Sequence, residues 1–346
     1  MKKYDLIVAG AGPAGASATI KSAEEGYNTL LVEKGSVQAC KPCGGVLTEV
    51  CVDVLAHELG LSLPKSVLST PGKLGLFYVS PSGYRGRVKS YRLVNIERHA
   101  FDKWLRREAE SRGVELLYGA RLVDIKQHGG EVTVAVKLGG RVERIEARFL
   151  VGADGVFSKA RRTLFPGAHF KTASVVQEHW KGDGELEECF YMLLLGRNIT
   201  PLYGYLIPKG DFFIVGSGAS TLREAKSSIG KVKEVLEGLG FKLRRLLRRE
   251  HWFIPQGTVL HGQGNVLLVG DAGGFCNPFS GEGIRFAVET GTAAARALEH
   301  EDNPLERYVD DVDGITLLVK SLSQLTNKLD DEKREAFVRR ELRRIL

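Results

Sequence analysis

Apolar residues are spaced along this chain in three ways, and each predicts a different element. Leu6, Ile7 and Val8 form a short unbroken run that ends in glycines, as do Leu30, Leu31 and Val32 just before Glu33. Such runs suit strands buried on both faces. Between them, Ala14, Ala16 and Ala18 predict a thin helix against a sheet, so Tyr4 to Lys34 reads as strand, tight turn, helix, strand. Phe101, Trp104, Leu105 and Ala109 recur at helical spacing and predict a helix over Arg98 to Arg112. From Leu116 to Arg148 the pattern alternates, broken at HGGE and LGG, which predicts a β-meander leading into a buried strand over Phe149 to Ala153.

The second half changes character. ECFYMLLLG, YGYLIP and DFFIVGSGA are strand-like and predict an antiparallel sheet within Thr172 to Gly218. Leu222 to Arg249 reads as helix, Val266 to Val269 as a buried strand leading through a loop into a helix, and the last forty residues as helical. The fold class is α/β: a Rossmann-like nucleotide-binding domain, an inserted antiparallel β-sheet substrate domain, and a helical C-terminus. The expected boundaries are 1–65, 90–165 and 256–297 for the first, 66–89 and 166–255 for the second, and 298–346 for the third. No internal repeat or low-complexity linker interrupts this organisation.

Composition narrows the class. The chain has 346 residues, 43% hydrophobic and 26% charged, as in ordinary globular proteins. No apolar run reaches the roughly 20 residues of a membrane span. The early stretch DLIVAGAG reads as a strand and not as a signal peptide, so a cytoplasmic protein is expected. A net charge of +7 favours anionic partners without choosing among them. Five cysteines over this length do not make a disulfide scaffold.

The chemistry begins at Gly10, Gly12 and Gly15, a G-x-G-x-x-G set in a strand–turn–helix context. The first glycine permits the turn, the second lets backbone approach a pyrophosphate at the helix N-terminus, and the third allows close packing. Ala14 belongs to the same turn, and Glu33 lies where a carboxylate accepts ribose hydroxyls. In the later block, Gly270 permits a tight turn and Asp271 at its tip can hold a ribityl hydroxyl. Pro278 would shape a nearby wall. Gly281, Gly283 and Ile284 open a helix whose N–H groups can face a pyrophosphate or a flavin edge.

CKPCGGVL, Cys40 to Leu47, leaves more than one reading open. Zinc needs about four ligands, and only Cys51 and His57 lie near this pair. No metal and no nucleic acid are expected. A dithiol couple belongs at the start of a helix in a small α/β domain, whereas this pair follows the Glu33 strand. Small thiols packed in a loop are the plain structural alternative.

Four blocks together resemble the FAD-dependent geranylgeranyl reductases, within the wider p-hydroxybenzoate hydroxylase fold. They are the fingerprint with Glu33, CKPCGG, VGADGVFSKARR and LLVGDAGGFCNPFSGEGI, and they span about Met1 to Ala297. The resemblance implies non-covalent FAD. It implies that Arg98 and Asp154 contact or organise the flavin nucleotide, and that Leu122 lies against adenine. It also implies that Gly44 and Gly45 bring the loop close to the isoalloxazine, with Cys43 facing the reacting site. Tyr203, Tyr205, Ile207 and Pro208 match a substrate-side motif, but tyrosine replaces its tryptophan and isoleucine its phenylalanine. The implied reaction is hydride transfer from reduced flavin N5 to an isoprenoid double bond. The substrate would be a prenyl lipid or prenyl diphosphate, and the electron donor NADPH or a small reductant such as ferredoxin. A flavin monooxygenase or halogenase of the same fold is the alternative, and a non-catalytic flavin or electron-transfer protein a third reading.

Two basic, apolar-studded segments add an expectation of weak peripheral association with anionic membranes. One is Phe241 to Glu250. The other is the last helix, with Arg339, Arg340, Arg343 and Arg344 beside Phe337, Val338, Leu342, Ile345 and Leu346. A terminal helix packed on the domain with a solvated basic face is the alternative for the second.

Overall fold

The computed structural model describes residues 3–184, 187–300 and 302–343. Its first sheet has eight strands. Gly262–Gln263, Val266–Leu268, Arg141–Gly152, Lys3–Ala9, Thr29–Glu33 and Glu115–Tyr118 lie side by side in that order. Lys3–Ala9 pairs in parallel with both neighbours, Val8 facing Val151 on one side and Leu31 on the other. Helices Pro13–Glu24 and Ile284–Ala297 cover one face and Leu122, Ile125 and Val134 of the meander pack on the other, which is why the central strands read as unbroken apolar runs. A Cβ at Gly291 would meet Ala14 O at 2.4 Å, so these two helices cross nearly backbone to backbone. The predicted meander is present: Arg121–His128, Glu131–Leu138 and the first part of Arg141–Gly152 pair antiparallel.

The second sheet has nine strands. Its order is Lys242–Pro255, Thr172–Asp183, Phe212–Ala219, Gly204–Lys209, Cys189–Leu193, Leu68–Val79, Leu93–Ile96 and Val46–Thr48, with Arg85–Arg87 paired to Leu68–Val79. All pairings are antiparallel except Cys189–Leu193 with Leu68–Val79. Helix Leu222–Gly238 closes one face over Val176, Tyr191, Leu206 and Val215. The other face gathers Tyr78, Phe190, Met192, Tyr205 and Ile207. Val46–Thr48 and Leu93–Ile96 fall inside the stretches read as nucleotide-binding, yet they hydrogen-bond into this second sheet. The loop that carries Cys40 and Cys43 therefore lies at the seam between the sheets.

One predicted element is corrected. The helix read over Leu222 to Arg249 ends at Gly238, and Lys242–Pro255 is an edge strand. Gly240, at φ +97°, turns the chain where a side chain would be strained. Register shifts between His179 and Trp180 and between Lys181 and Gly182 then disturb the alternation along the strand pair. FKLRRLLRRE consequently has helix-like spacing while forming a strand, so it is not an amphipathic helix. Arg244 and Arg249 pair with Asp183 and Glu178 on the neighbouring strand.

The C-terminus is helical over Pro304–Asp311, Asp313–Lys328 and Asp331–Arg343. In the last of these, Val338 is fully buried and Phe337 packs edge-on against Tyr78 and Phe279. Of the apolar face read as available to a membrane, Phe337, Val338 and Leu342 are turned inward onto the second sheet. Arg344, Ile345 and Leu346 lie outside the described residues. Among those described, no helix is long and apolar enough to cross a membrane.

Candidate functional site

A cavity of about 580 Å³ runs along the C-terminal ends of the parallel strands. Gly10, Gly12, Ala14, Glu33, Leu122 and Asp154 line it, with Arg98, Cys43, Asp271, Gly281, Gly283 and Ile284. Gly10 has φ +106°, and a Cβ there would stand 2.3 Å from Ala153 O. Gly12 precedes the helix, no side chain caps it, and a Cβ at Gly12 would meet nothing within 4 Å. The first turn thus presents uncapped N–H groups to open space, a setting for a pyrophosphate. Gly15 is not on the wall; a Cβ there would strike Gly10 O at 1.8 Å, so its role is packing. Gly270, at φ +52°, packs on Ala14 behind the wall and aims Asp271 into it.

Glu33 does more than wait for a ribose. One of its oxygens accepts from Ala11 N and the other from Gly35 N, both at 2.8 Å. Each carboxylate oxygen keeps a further lone pair, so a ribose hydroxyl can still be received. Asp154 Oδ2 accepts from Lys159 N at 2.6 Å and Ala160 N at 3.2 Å, while its buried Oδ1 has no partner. Burial pushes this carboxyl above its ordinary range, against the pull of Ser158 and the two N–H groups. A buried acceptor without a donor fits a ligand hydroxyl or amide at this point.

The loop Cys40–Gly45 joins this cavity to a second one of about 390 Å³. Lys41, Cys43, Trp252 and Gly281 line both. Cys40 is exposed and Cys43 half-buried, and both thiols are free. Burial pushes the Cys43 thiol up, but the Arg98 guanidinium, the N–H of Gly45 and Lys41 outweigh it and hold the thiol below its ordinary value. Gly45 N reaches the sulfur at 3.4 Å. Arg98 is itself fixed by Asp102, Nε to Oδ1 2.7 Å. Lys41 crosses to Asp271, Nζ to Oδ2 2.5 Å.

The second cavity is walled by Leu76, Tyr78, Phe190, Met192, Ile207 and Phe279, with Tyr203 and Tyr205. Tyr203 donates to Ser280 O at 2.6 Å, and Tyr205 to Gln177 Oε1 at 3.1 Å. Gln177 in turn donates to Glu250, which also bonds His179. Burial raises both phenols above their ordinary value and keeps them neutral. Pro278 lines this second cavity and not the first; Pro208 lines neither, its carbonyl accepting from Asn95.

Several site residues were not read from the sequence. Arg106, on the same helix as Arg98, reaches Ala11 O, Val37 O and Ala39 O and ties the fingerprint turn to the cysteine loop. Its signal was its position eight residues after Arg98, on the same helix face. Lys41 lies between the two cysteines of CKPCGG, where a lone lysine carries no signal of its own. Trp252 and Gln177 carried no local signal, since strand pairing brings them in.

Residues 3–182, which carry the glycine turn, Glu33 and Asp154, match a family described as an FAD binding domain. The chain belongs to that family. "Protein CbrA" of Escherichia coli (strain K12) is 28% identical over 302 residues, covering 84% of this chain and 82% of its own. A geranylgeranyl bacteriochlorophyll reductase-like protein from Thermoplasma acidophilum superposes with a TM-score of 0.87 at 22% identity, over 100% of this chain and 93% of that one. CmlS, a flavin-dependent halogenase, superposes at 0.72 and 18% identity, over 100% and 68%. The fold is that of the p-hydroxybenzoate hydroxylase-like flavoproteins, and this FAD binding domain protein is of the FAD-dependent oxidoreductase type. The lining of the first cavity suits FAD: Gly12 and the helix start would hold the pyrophosphate, Glu33 the adenosine ribose, and Asp271 with Gly281–Ile284 the flavin half.

Proposed function

We propose that this protein is an FAD-dependent reductase of isoprenoid carbon–carbon double bonds, of geranylgeranyl type. The observation that carries the reading is the apolar second cavity meeting the dinucleotide cavity at Cys43 and Gly281. When bound and reduced, FAD supplies hydride to one carbon of a double bond. The chain's own part is to hold an alkene there and keep water away. Leu76, Phe190, Met192 and Ile207 offer a branched hydrocarbon an apolar wall. Tyr203 and Tyr205 already donate their hydroxyl protons to protein oxygens, so they present ring surface to the chain. Tyr91, an exposed residue on the same cavity, is flanked in sequence by Lys89 and Arg92, cations suited to a diphosphate or another anionic head. NADPH or a small protein reductant such as ferredoxin would supply the electrons. The reading also draws support from the likeness to a reductase-like protein over the full chain.

The test is turnover without oxygen. Dithionite-reduced holoprotein mixed under argon with a geranylgeranyl compound is expected to reoxidise its flavin and to yield products heavier by pairs of hydrogens. No reoxidation under argon, with a hydroxylated or halogenated product in air, would overturn the reading in favour of an oxygenase or halogenase.

A further inference from the structure

Lys209 is an anomaly. It ends the strand that carries Tyr205 and Ile207, and its side chain is only 4% exposed. Among the described residues no carboxylate forms an ion pair with it. Its Nζ instead donates to two backbone carbonyls, Gly45 O at 3.0 Å and Ile96 O at 2.7 Å. A buried ammonium held only by carbonyls is costly unless a compensating negative charge stands nearby.

The two carbonyls say what it is for. Gly45 is the residue whose N–H meets the Cys43 sulfur, and its carbonyl accepts from Ile96 N as well as from Lys209. Ile96 lies two residues before Arg98, the guanidinium beside that sulfur. One side chain of the second sheet thus holds the carbonyl of Gly45 and that of Ile96, the latter two residues from Arg98. The local charges are uneven. Arg98 is matched by Asp102 and Lys41 by Asp271, while Glu97, the acid nearest to Lys209, is engaged by Ser69. Cys276, buried just beyond the Asp271 turn, is pushed up by burial and stays a neutral thiol. Ser69 is a neutral donor and leaves the charge of Glu97 in place, so Glu97 and Cys43 are the two negative groups that act on Lys209.

We propose that Lys209 is a positioning residue for Cys43: by holding the carbonyls of Gly45 and Ile96 it fixes the Gly45 N–H against the sulfur and places a further positive charge near the thiol. Burial lowers Lys209 to about 8, while Glu97 and Cys43 pull it back up, so a charged lysine and a negative sulfur favour each other. The meaning for catalysis rests on the reading of Cys43 as a flavin-facing group. The test involves no prenyl substrate, so its failure is distinguishable from failure of that reading.

The experiment is iodoacetamide alkylation of the FAD-loaded protein across pH 5 to 10, with the rate at Cys43 read by peptide mass spectrometry. Lys209→Met is expected to move the Cys43 midpoint upward by about one pH unit and to slow alkylation at neutral pH about tenfold. Lys209→Arg, which keeps the charge, is expected to restore most of that rate. A folded Lys209→Met protein with an unchanged Cys43 midpoint overturns the proposal, because a merely structural lysine would not set the thiol's titration. If Lys209→Met does not fold, the wild-type profile decides. A curve broader than one proton supports the linkage, and a single-proton curve overturns it.

Discussion

The Cδ1 of Ile207 comes within 2.5 Å of where a side chain on Gly44 would begin. A residue of the second sheet therefore rests directly on the cysteine loop. Gly45, its neighbour, is confined differently: φ is +66°, and a Cβ would stand 2.3 Å from Ile96 O. These two glycines should respond unequally to alanine. The end of Ile207 can rotate away from an added methyl group, so Gly44→Ala is expected to cost under about 1 kcal/mol and mainly to reshape the junction of the cavities. Gly45→Ala meets rigid backbone in a left-handed conformation and is expected to cost about 2 kcal/mol or more. Urea denaturation of both variants checks the order. Equal losses would mean that the loop does not hold this shape.

Glu33 bridges Ala11 and Gly35 before any ligand arrives, so its removal has two effects. Glu33→Ala strands two backbone donors at the fingerprint turn, which is expected to destabilise the apo-protein by about 1–3 kcal/mol. Losing the ribose acceptor should in addition weaken FAD tenfold or more, equivalent to about 1.4 kcal/mol or above. Glu33→Gln, whose one carbonyl oxygen can serve only one of the two donors, is expected to fall between. Thermal melts of apo-protein and flavin fluorescence titrations separate the two effects. FAD affinity unchanged in both variants would remove Glu33 from the cofactor site.

What the sequence revealed and what it hid divide along contact range. Gly10, Gly12, Gly15 and Glu33 were legible because one turn and one strand crossover hold their chemistry within about thirty residues. The central strands were legible because both faces are covered. The strand Lys242–Pro255 was not, because its bulged pairing breaks the period of two that marks a strand. Gly238 and Gly240 were the only local sign that the preceding helix had stopped. Lys209 is an ordinary lysine after a proline until the fold brings it under Gly45 and Ile96. The run Tyr205–Gln177–Glu250–His179 is assembled from three strands far apart in the chain. The apolar face of the last helix was visible, but its partner was not. A membrane and a protein interior ask for the same residues, and only Tyr78 and Phe279 distinguish them.

That helix is tied down by a carboxylate. Glu335 accepts from Ser82 N at 3.1 Å and Ser82 Oγ at 2.8 Å, and lies beside Arg339. Burial pushes its carboxyl up, but Ser80, Ser82 and Arg339 more than offset this and hold it down at about 2. The folded value is depressed below the unfolded one, so its contribution to stability is fully present above about pH 4.5. The contribution is lost as pH falls through 2. Screening at this partly exposed site reduces it to on the order of 1 kcal/mol. Melting curves of wild type and Glu335→Gln should differ at pH 6 and converge near pH 2. A difference that persists undiminished at pH 2 would rule out the carboxylate's charge as the cause.

The same helix backs the second cavity. Phe337 stands 5.6 Å from the Tyr78 ring and 5.5 Å from that of Phe279, both edge-on, and those two rings wall the second cavity. Edge-on aromatic contacts favour particular separations, so Phe337 determines how far the two wall rings can retreat. Truncation to alanine is expected to cost about 2–3 kcal/mol, below the value for a fully buried phenylalanine because Phe337 is only partly covered. It should also let Tyr78 and Phe279 relax outward and enlarge the apolar space. Under the proposed reaction, Phe337→Ala is expected to raise KM for a geranylgeranyl substrate several-fold with a smaller change in kcat. The flavin end, lined by Cys43 and Gly281, is untouched. Phe337→Leu, which refills most of the volume, should recover most of the affinity. Anaerobic single-turnover titrations with prenyl chains of different length would measure both. A Phe337→Ala protein that melts lower yet handles every chain length as the wild type does would reduce Phe337 to a packing residue of the terminal helix.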